Sequence, residues 1–463
     1  MKKEVKKEKL SKKELEKSSR HHSIKEGIYS AAKNAFGNSF ISPFAIAINT
    51  SSSMVAMLAS IAGLLGPLSQ IFGSKLIEKY PRKKIIMRTV LLESLMWIPL
   101  IIIAILFYLD IVKKVLPFFL LLSYAIYIII ANTLTPAWFS WIGDVVDKKY
   151  RGRWFSKRSL LTGSVSVILA LLSSFFLDYT KKQNMIIFGF IILFSLAFIS
   201  RLLSWKSFKN QYEPKMKVKK EHHFSFMQFL LNSPKNNFGK FTLFRAFFSF
   251  TIGISSPLVA VYLLRTLEFN YLTYITIALS GTFFSLLVME LWGKFTDKFG
   301  NYRTLQIACI FIPMVPILWI VSTSPIYLIL VPSLVSGIFW AGFTLASGNF
   351  IYDNVRKEKR GAAISYHNML IGIGTFLGAG LGAFLIKFIK TDVIEPMIII
   401  FIIGGIARMI AVFFFIPALK ETRKTRKLNG NRGIKEFVKQ ETVPTIQEEI
   451  HQVISIKDYL TEK

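Results

Sequence analysis

Ser74-Lys75-Leu76-Ile77-Glu78-Lys79-Tyr80-Pro81-Arg82-Lys83-Lys84 and, 219 positions later, Gly293-Lys294-Phe295-Thr296-Asp297-Lys298-Phe299-Gly300-Asn301-Tyr302-Arg303 read as one charged loop written twice. Each copy lies between two long apolar runs. Other segments return at nearly the same offset. Gly143-Asp144 with Arg151-Gly152-Arg153 comes back as Asp353 with Arg360-Gly361, Ser42-Pro43 as Ser256-Pro257, and Arg201-Leu202-Leu203 as Arg408-Met409-Ile410. Four echoes at nearly the same spacing, 207 to 219 positions, mark an internal duplication, a common plan of chains that cross a membrane many times.

The apolar runs say what the repeated unit is. Hydrophobic residues make up 52% of 463 positions and 42 are phenylalanine, more apolar surface than a soluble core of this length uses. Runs such as 85–109, 115–142, 185–203 and 397–417 reach or approach the roughly 20 residues that cross about 30 Å of hydrocarbon. They are too long for barrel strands, which alternate over about 10 residues. The expected fold is an all-α polytopic membrane protein with twelve transmembrane helices in two pseudo-symmetric six-helix bundles. The expected segments are a basic tail over 1–26, a first bundle over 27–206, a central loop over 207–239, a second bundle over 240–420 and a second tail over 421–463.

Loop charge orients the chain. With the amino terminus inside, the inner loops hold 19 basic residues, Lys75 to Arg88, Lys148 to Arg158, Lys294 to Arg303 and Arg356 to Arg360 taken together. The outer loops hold seven: Lys113, Lys114, Lys181, Lys182, Arg265, Lys387 and Lys390. The positive-inside rule then puts both termini in the cytoplasm of a cell membrane. The net charge of +31 is spread over these loops and tails, which suits anionic lipid headgroups and not nucleic acid. The first 25 residues carry no apolar stretch with a cleavage site and read as a solvated tail. The single cysteine, Cys309, has no partner. His21-His22 and His222-His223 lack the companions a metal site needs, so neither a metal nor a cofactor is expected.

The repeated loop resembles the GxLxDRxGRR signature of the major facilitator superfamily. In the second copy Gly293, Asp297, Lys298 and Gly300 fall on that pattern. In the first, Ser74, Glu78 and Pro81 depart from it while Lys79, Arg82 and Lys83 keep its charge. Residues 136–144 with 151–155, containing Trp138, Trp141 and Asp144, resemble a prokaryotic branch with little assigned chemistry. The resemblance implies a secondary active transporter that moves a small solute by alternating access, with proton coupling as one option and a monomer as the working unit. A drug or metabolite exporter of the same fold is an alternative, as is a non-transporting receptor or assembly protein. The fifth span lacks the glycine-proline signature of drug antiporters, and no GxxxxGK with Ser or Thr is present for a nucleotide-driven pump. A membrane-embedded enzyme needs clustered catalytic groups, and only His367 lies in a span.

Three groups of residues are candidates. Glu78, Arg82, Asp144 and Arg151 in the first half, with Asp297, Asp353 and Arg360 in the second, are expected to form a cytoplasmic gate of ion pairs. Spans one, four, seven and ten, which the resemblance implies line the solute path, offer Asn38, Asn132, Trp138, Arg245, Trp340 and Asn349. Charged groups at membrane depth are functional suspects by default. These are Glu93, which can carry a proton or find a hydrogen-bond partner; Arg245, which suits an anionic group or can snorkel from the cytoplasmic start of its span; Glu290, which can support its loop; and Arg201 and Arg408, which can snorkel or brace. Gly374, Gly378 and Gly382 form a small-residue face for close helix packing, static or sliding.

Overall fold

The computed structural model describes residues 12–146, 151–214, 225–356, 359–391, 393–423 and 425. Among them every regular element is helical. In chain order these are α1 (Lys12–Phe36), α2 (Ile41–Ala47), α3 (Ser52–Lys79), α4 (Arg82–Leu95), α5 (Trp97–Tyr108), α6 (Leu116–Thr133), α7 (Thr135–Val145), α8 (Arg151–Lys182) and α9 (Ile186–Lys209). The short α10 (Phe226–Asn232) precedes α11 (Asn237–Ser255), α12 (Val259–Val261), α13 (Tyr271–Phe299), α14 (Asn301–Phe311), α15 (Val315–Leu318), α16 (Pro325–Leu328), α17 (Leu334–Asn354), α18 (Arg360–Phe388) and α19 (Pro396–Phe415).

Eleven stretches of the described chain are long and apolar enough to cross a membrane. Helices α1 and α2 occupy the place of the first expected span and bring the number to twelve. The outward side chains are large and apolar, among them Phe175 at 65%, Ile326 at 69% and Phe413 at 75% exposure, a surface that suits hydrocarbon and not water.

The structure differs from the sequence reading in two ways. The described chain is helical from its first described residue, Lys12, inside the segment expected to be a solvated tail, and Ser19, Ser23 and Glu26 on this helix face inward and are buried. Several expected spans are also broken. The third turns over at Met96, just before Pro99, and the fourth at Leu134, just before Pro136. The seventh breaks at Ser256–Leu258 around Pro257, the ninth at Ile312–Met314 around Pro313, and the tenth widens at Ile329–Ser333 around Pro332. Proline removes a backbone donor and crowds the preceding turn, so the helix tightens or widens locally.

By contact the chain divides into two compact units, residues 1–54 with 65–219 and residues 55–64 with 220–463. In the first unit α1 packs on α8 and α9. Phe44 meets Phe194 edge-on at 5.0 Å, and Trp97 meets Phe194 and Tyr127. In the second unit α11 packs along α18 and α19 over a core containing Phe241, Phe244, Phe248, Phe343 and Phe350. A methyl group added at Gly374, Gly378 or Gly382 of α18 would run into the backbone carbonyl of Ala246, Phe250 or Ile254 of α11. The small-residue face thus brings two backbones together, as such faces do in lipid.

Candidate functional site

The most heavily charged interior lies in the first unit. Glu93 on α4 receives Nε of Arg201 on α9 at 2.9 Å and Nζ of Lys33 on α1 at 3.0 Å. Lys33 also donates to the Tyr127 hydroxyl, 3.1 Å away, which donates to Oδ1 of Asn38 at 2.7 Å. A second carboxylate, Glu26 on α1, takes Nη2 of Arg158 on α8 at 3.0 Å and lies 3.8 Å from Nη1 of Arg201. Arg201 bonds Ser204 and Ser30 as well. A buried charge persists only when paired and hydrogen-bonded, and each of these five charged groups pairs with another. Arg201 therefore braces the unit instead of reaching a headgroup.

At the loop end of the same unit Arg82 is 99% buried, its side chain held by Asp144 at 2.6 Å, Ser140 at 3.0 Å, Glu213 at 3.3 Å and the Pro214 carbonyl at 2.8 Å. Glu213 also accepts the backbone N–H groups of Arg82 and Lys83 at 2.8 and 3.2 Å. These are the first donors of α4, without partners inside the helix, and the carboxylate lies at the positive end of the helix dipole. The second unit repeats the device: Glu421 accepts the N–H of Tyr302 at 2.8 Å near the start of α14. Asn301 there donates to Asp353, and Arg423 stands 3.8 Å from Asp297.

The other expected residues fall as follows. Glu78 is exposed at the end of α3. The side chains of Arg151 and Arg360 lie outside the described residues, as do His222, His223 and the lysines around them. Asn38 is exposed and also donates to Asn34; Asn132 accepts from Gln70 at 3.2 Å; the ring of Trp138 is covered by the Arg158 guanidinium at 4.6 Å. Asn349 is partly exposed on α17. Trp340 meets Phe343 edge-on at 5.2 Å, and Arg245 lies over the other side of this aromatic group, 4.7 Å from the Phe343 ring. Glu290 pairs with Lys294 at 3.2 Å. His367 is buried, bonded to Thr242 at 2.9 Å and stacked on Phe241.

Lys33 and Glu26 escaped the sequence reading. Lys33 sits inside the first expected span and qualifies by the same rule that singled out Glu93. Glu26 sits one residue before that span. Glu213 and Glu421 fall in segments read as linker and tail, and nothing local in the sequence marks them.

The charge balance of the two units differs. Among the described residues Arg408, the repeat mate of Arg201, bonds only the Ser255 and Ser256 hydroxyls and the Ile252 carbonyl, and its buried Nε has no partner. Arg245 makes no hydrogen bond or ion pair among the described residues, and its Nε is sealed from water. Among the described residues no three His, Cys, Asp or Glu side chains converge as a metal site.

These features define a polytopic helical membrane protein built on a duplicated bundle with charges inside it. The sequence matches the Major Facilitator Superfamily over residues 28–329 and 291–454, and the chain belongs to that family. It is a secondary transporter that moves a small solute by alternating access. No curated protein is similar to it in sequence. Solved structures share its fold. A bacterial homologue of the iron transporter ferroportin, in an inward-facing state, is 16% identical, with 88% of this chain and 99% of that chain covered at a TM-score of 0.67. The nucleoside transporter NupG is 12% identical, with 87% and 98% covered at 0.64. The xylose transporter XylE from E. coli, in an inward open conformation, is 12% identical, with 89% and 97% covered at 0.60.

Proposed function

We propose that the transported solute is a small anion and that Arg245 receives its charged group. The observation that carries this reading is the guanidinium of Arg245, set in α11 against Phe343 with no hydrogen bond or ion pair among the described residues. A cation inside a membrane bundle is costly unless something pairs with it, and a solute is the partner such a site awaits. Arg408, without a carboxylate, adds positive charge to the same unit. The test is uptake by proteoliposomes of organic anions, phosphate, sugars and organic cations. Anion uptake is expected, lost in Arg245→Gln and partly kept in Arg245→Lys; unchanged uptake by Arg245→Gln, or uptake of cations alone, overturns the reading.

The accompanying proposals follow from the same reading. Asn38, Asn132, Trp138, Trp340 and Asn349 line the solute's path. Arg82 with Asp144, and Asp297 and Asp353, with Glu78, Arg151 and Arg360 beside them, hold one face of the transporter shut in one state. Glu93 takes the other role open to it, as the partner of Arg201 and Lys33, and does not carry a proton, because neutralising it would leave both cations without a carboxylate. The chain works as a monomer in the cell membrane, with both termini cytoplasmic, and transforms nothing chemically.

A further inference from the structure

The first unit has an open cleft of about 300 Å³ between α1 and α8, in which Asn34, Ser159 and Gly163 are exposed. Its polar lining residues are Ser30, Asn34, Arg158, Ser159, Thr162 and Ser166. Two glycines shape it. A Cβ at Gly27 would lie 2.8 Å from Nη2 of Arg158 and 2.9 Å from its Cζ, so glycine is what lets the guanidinium lie against α1. A Cβ at Gly163, which also lines the cleft, would meet nothing within 4 Å. The volume is at the small end of ligand pockets and equals about ten waters' share of liquid.

The charge beside the cleft is unbalanced. Arg158, Lys33 and Arg201 face two carboxylates, Glu26 and Glu93, through a chain of ion pairs. Three cations against two carboxylates leave one positive charge uncompensated among the described residues. Arg158 is the member on the cleft wall. Its Nε goes to the Ser23 carbonyl and its Nη2 to Glu26, which leaves Nη1 without a partner among the described residues. Ser30 ties the wall to a second cation, since its Oγ accepts from Arg201 and its proton is free to point elsewhere. Ser159 and Ser166 donate to nothing else among the described residues.

We infer that this cleft is a second anion seat, additional to that of Arg245, in which the carboxylate of a small organic acid takes Nη1 of Arg158 and the Ser159 and Ser166 hydroxyls. Bound there, it supplies the negative charge the cluster lacks and makes charge-assisted hydrogen bonds, the stronger kind. Glu26 keeps Nη2 of the same guanidinium, and the Trp138 ring lies 4.6 Å from its centre, so the group is held in place before an anion arrives. A neutral polyol would find the hydroxyls but leave the charge uncompensated, and an organic cation would meet like charge. The inference rests on the reading of the cargo as an anion and gives that anion a second seat, in the first unit.

The test is calorimetric titration of the purified full chain with acetate, lactate and succinate, with glycerol as the neutral control. One or more of the acids is expected to bind and glycerol is not. Gly163→Val, which fills the cleft at a position with open space, is expected to weaken that binding about tenfold or more, a loss of about 1.4 kcal/mol. Ser166→Leu narrows the cleft from the same helix without touching the ion pairs and is expected to do the same, so one variant that fails to fold leaves the other to decide. Binding undiminished in the folded variants, or glycerol binding where no acid binds, overturns the assignment. If an acid is taken up in an Arg245-dependent manner while Gly163→Val binds it normally, the cleft assignment falls and the anion reading stands. If the unaltered protein neither binds nor takes up any anion, both fall.

Discussion

The guanidinium of Arg201 on α9 straddles the Glu93 carboxylate on α4, 108 residues away in the chain, with both side chains almost wholly excluded from solvent. Lys33 approaches the other carboxylate oxygen, so Glu93 neutralises two cations from two helices. Taking the carboxylate away leaves both buried and unpaired, a loss of about 3–5 kcal/mol for such a pair. Glu93→Gln is therefore expected to lower the melting temperature of the purified protein strongly, followed by tryptophan fluorescence. Lys33→Met added to it should recover part of the loss, because one stranded cation goes with the missing charge; a double variant that melts no higher than the single one contradicts the network.

Arg82 has two carboxylate partners of different standing. Asp144 has a side chain 48% exposed, and Glu213 one 19% exposed that also holds the first N–H groups of α4. An exposed partner contributes about 0–1 kcal/mol, whereas a carboxylate with several N–H bonds contributes about 1–3 kcal/mol. Glu213→Ala should thus cost more stability than Asp144→Asn. Asp144→Asn should act mainly on transport rate, if the gate reading holds. Equal melting temperatures for the two variants, or the reverse order, would remove Glu213 from its place as the fastener of α4.

Gly300, between α13 and α14, has φ of +94°, and a side chain there would strike the Glu421 carboxylate. Two penalties meet at this position. The backbone one is about 1 kcal/mol, since only glycine adopts that region freely. Gly300→Ala is expected to destabilise the protein, and to do so less when Glu421 is already Ala, because the collision is then gone and the strain alone remains. Melting curves of the two singles and the double decide it: strictly additive losses would mean that the carboxylate yields without cost.

Run length and a repeated loop made the fold legible, because hydrocarbon thickness leaves a chain few ways to cross and a duplication shows as a nearly constant offset. Helix breaks at Met96, Leu134 and Ser256 were not legible. Proline in a lipid-embedded helix is tolerated as often as it bends one, and neighbouring helices decide which. The interior charges were half legible. Glu93, Arg201, Arg245 and Arg408 stand out within apolar runs. Glu26 lies where the sequence turns polar, though its partners Arg158 and Arg201 draw it inside. Glu213 reaches Arg82 across 131 residues, a distance over which no local pattern speaks.

The α18 glycines distinguish packing from mere flexibility. Gly378 faces the Phe250 carbonyl of α11 and, in return, a Cβ on Gly253 of α11 would lie 2.8 Å from the Ala379 nitrogen of α18. The approach is reciprocal and made backbone to backbone, so no side chain can swing aside to admit a methyl. Overpacking of this kind costs about 1–3 kcal/mol, more when the obstacle is main chain. Gly378→Ala is expected to lower both the yield of folded protein and its melting temperature. Gly380→Ala, one turn face away, where a Cβ comes no nearer than 3.8 Å to the Ser60 hydroxyl, should be near neutral. The pair is its own control, since both changes raise helix propensity alike. If Gly378→Ala is as stable as Gly380→Ala, α11 and α18 are free to separate and the glycine face is not what fixes them.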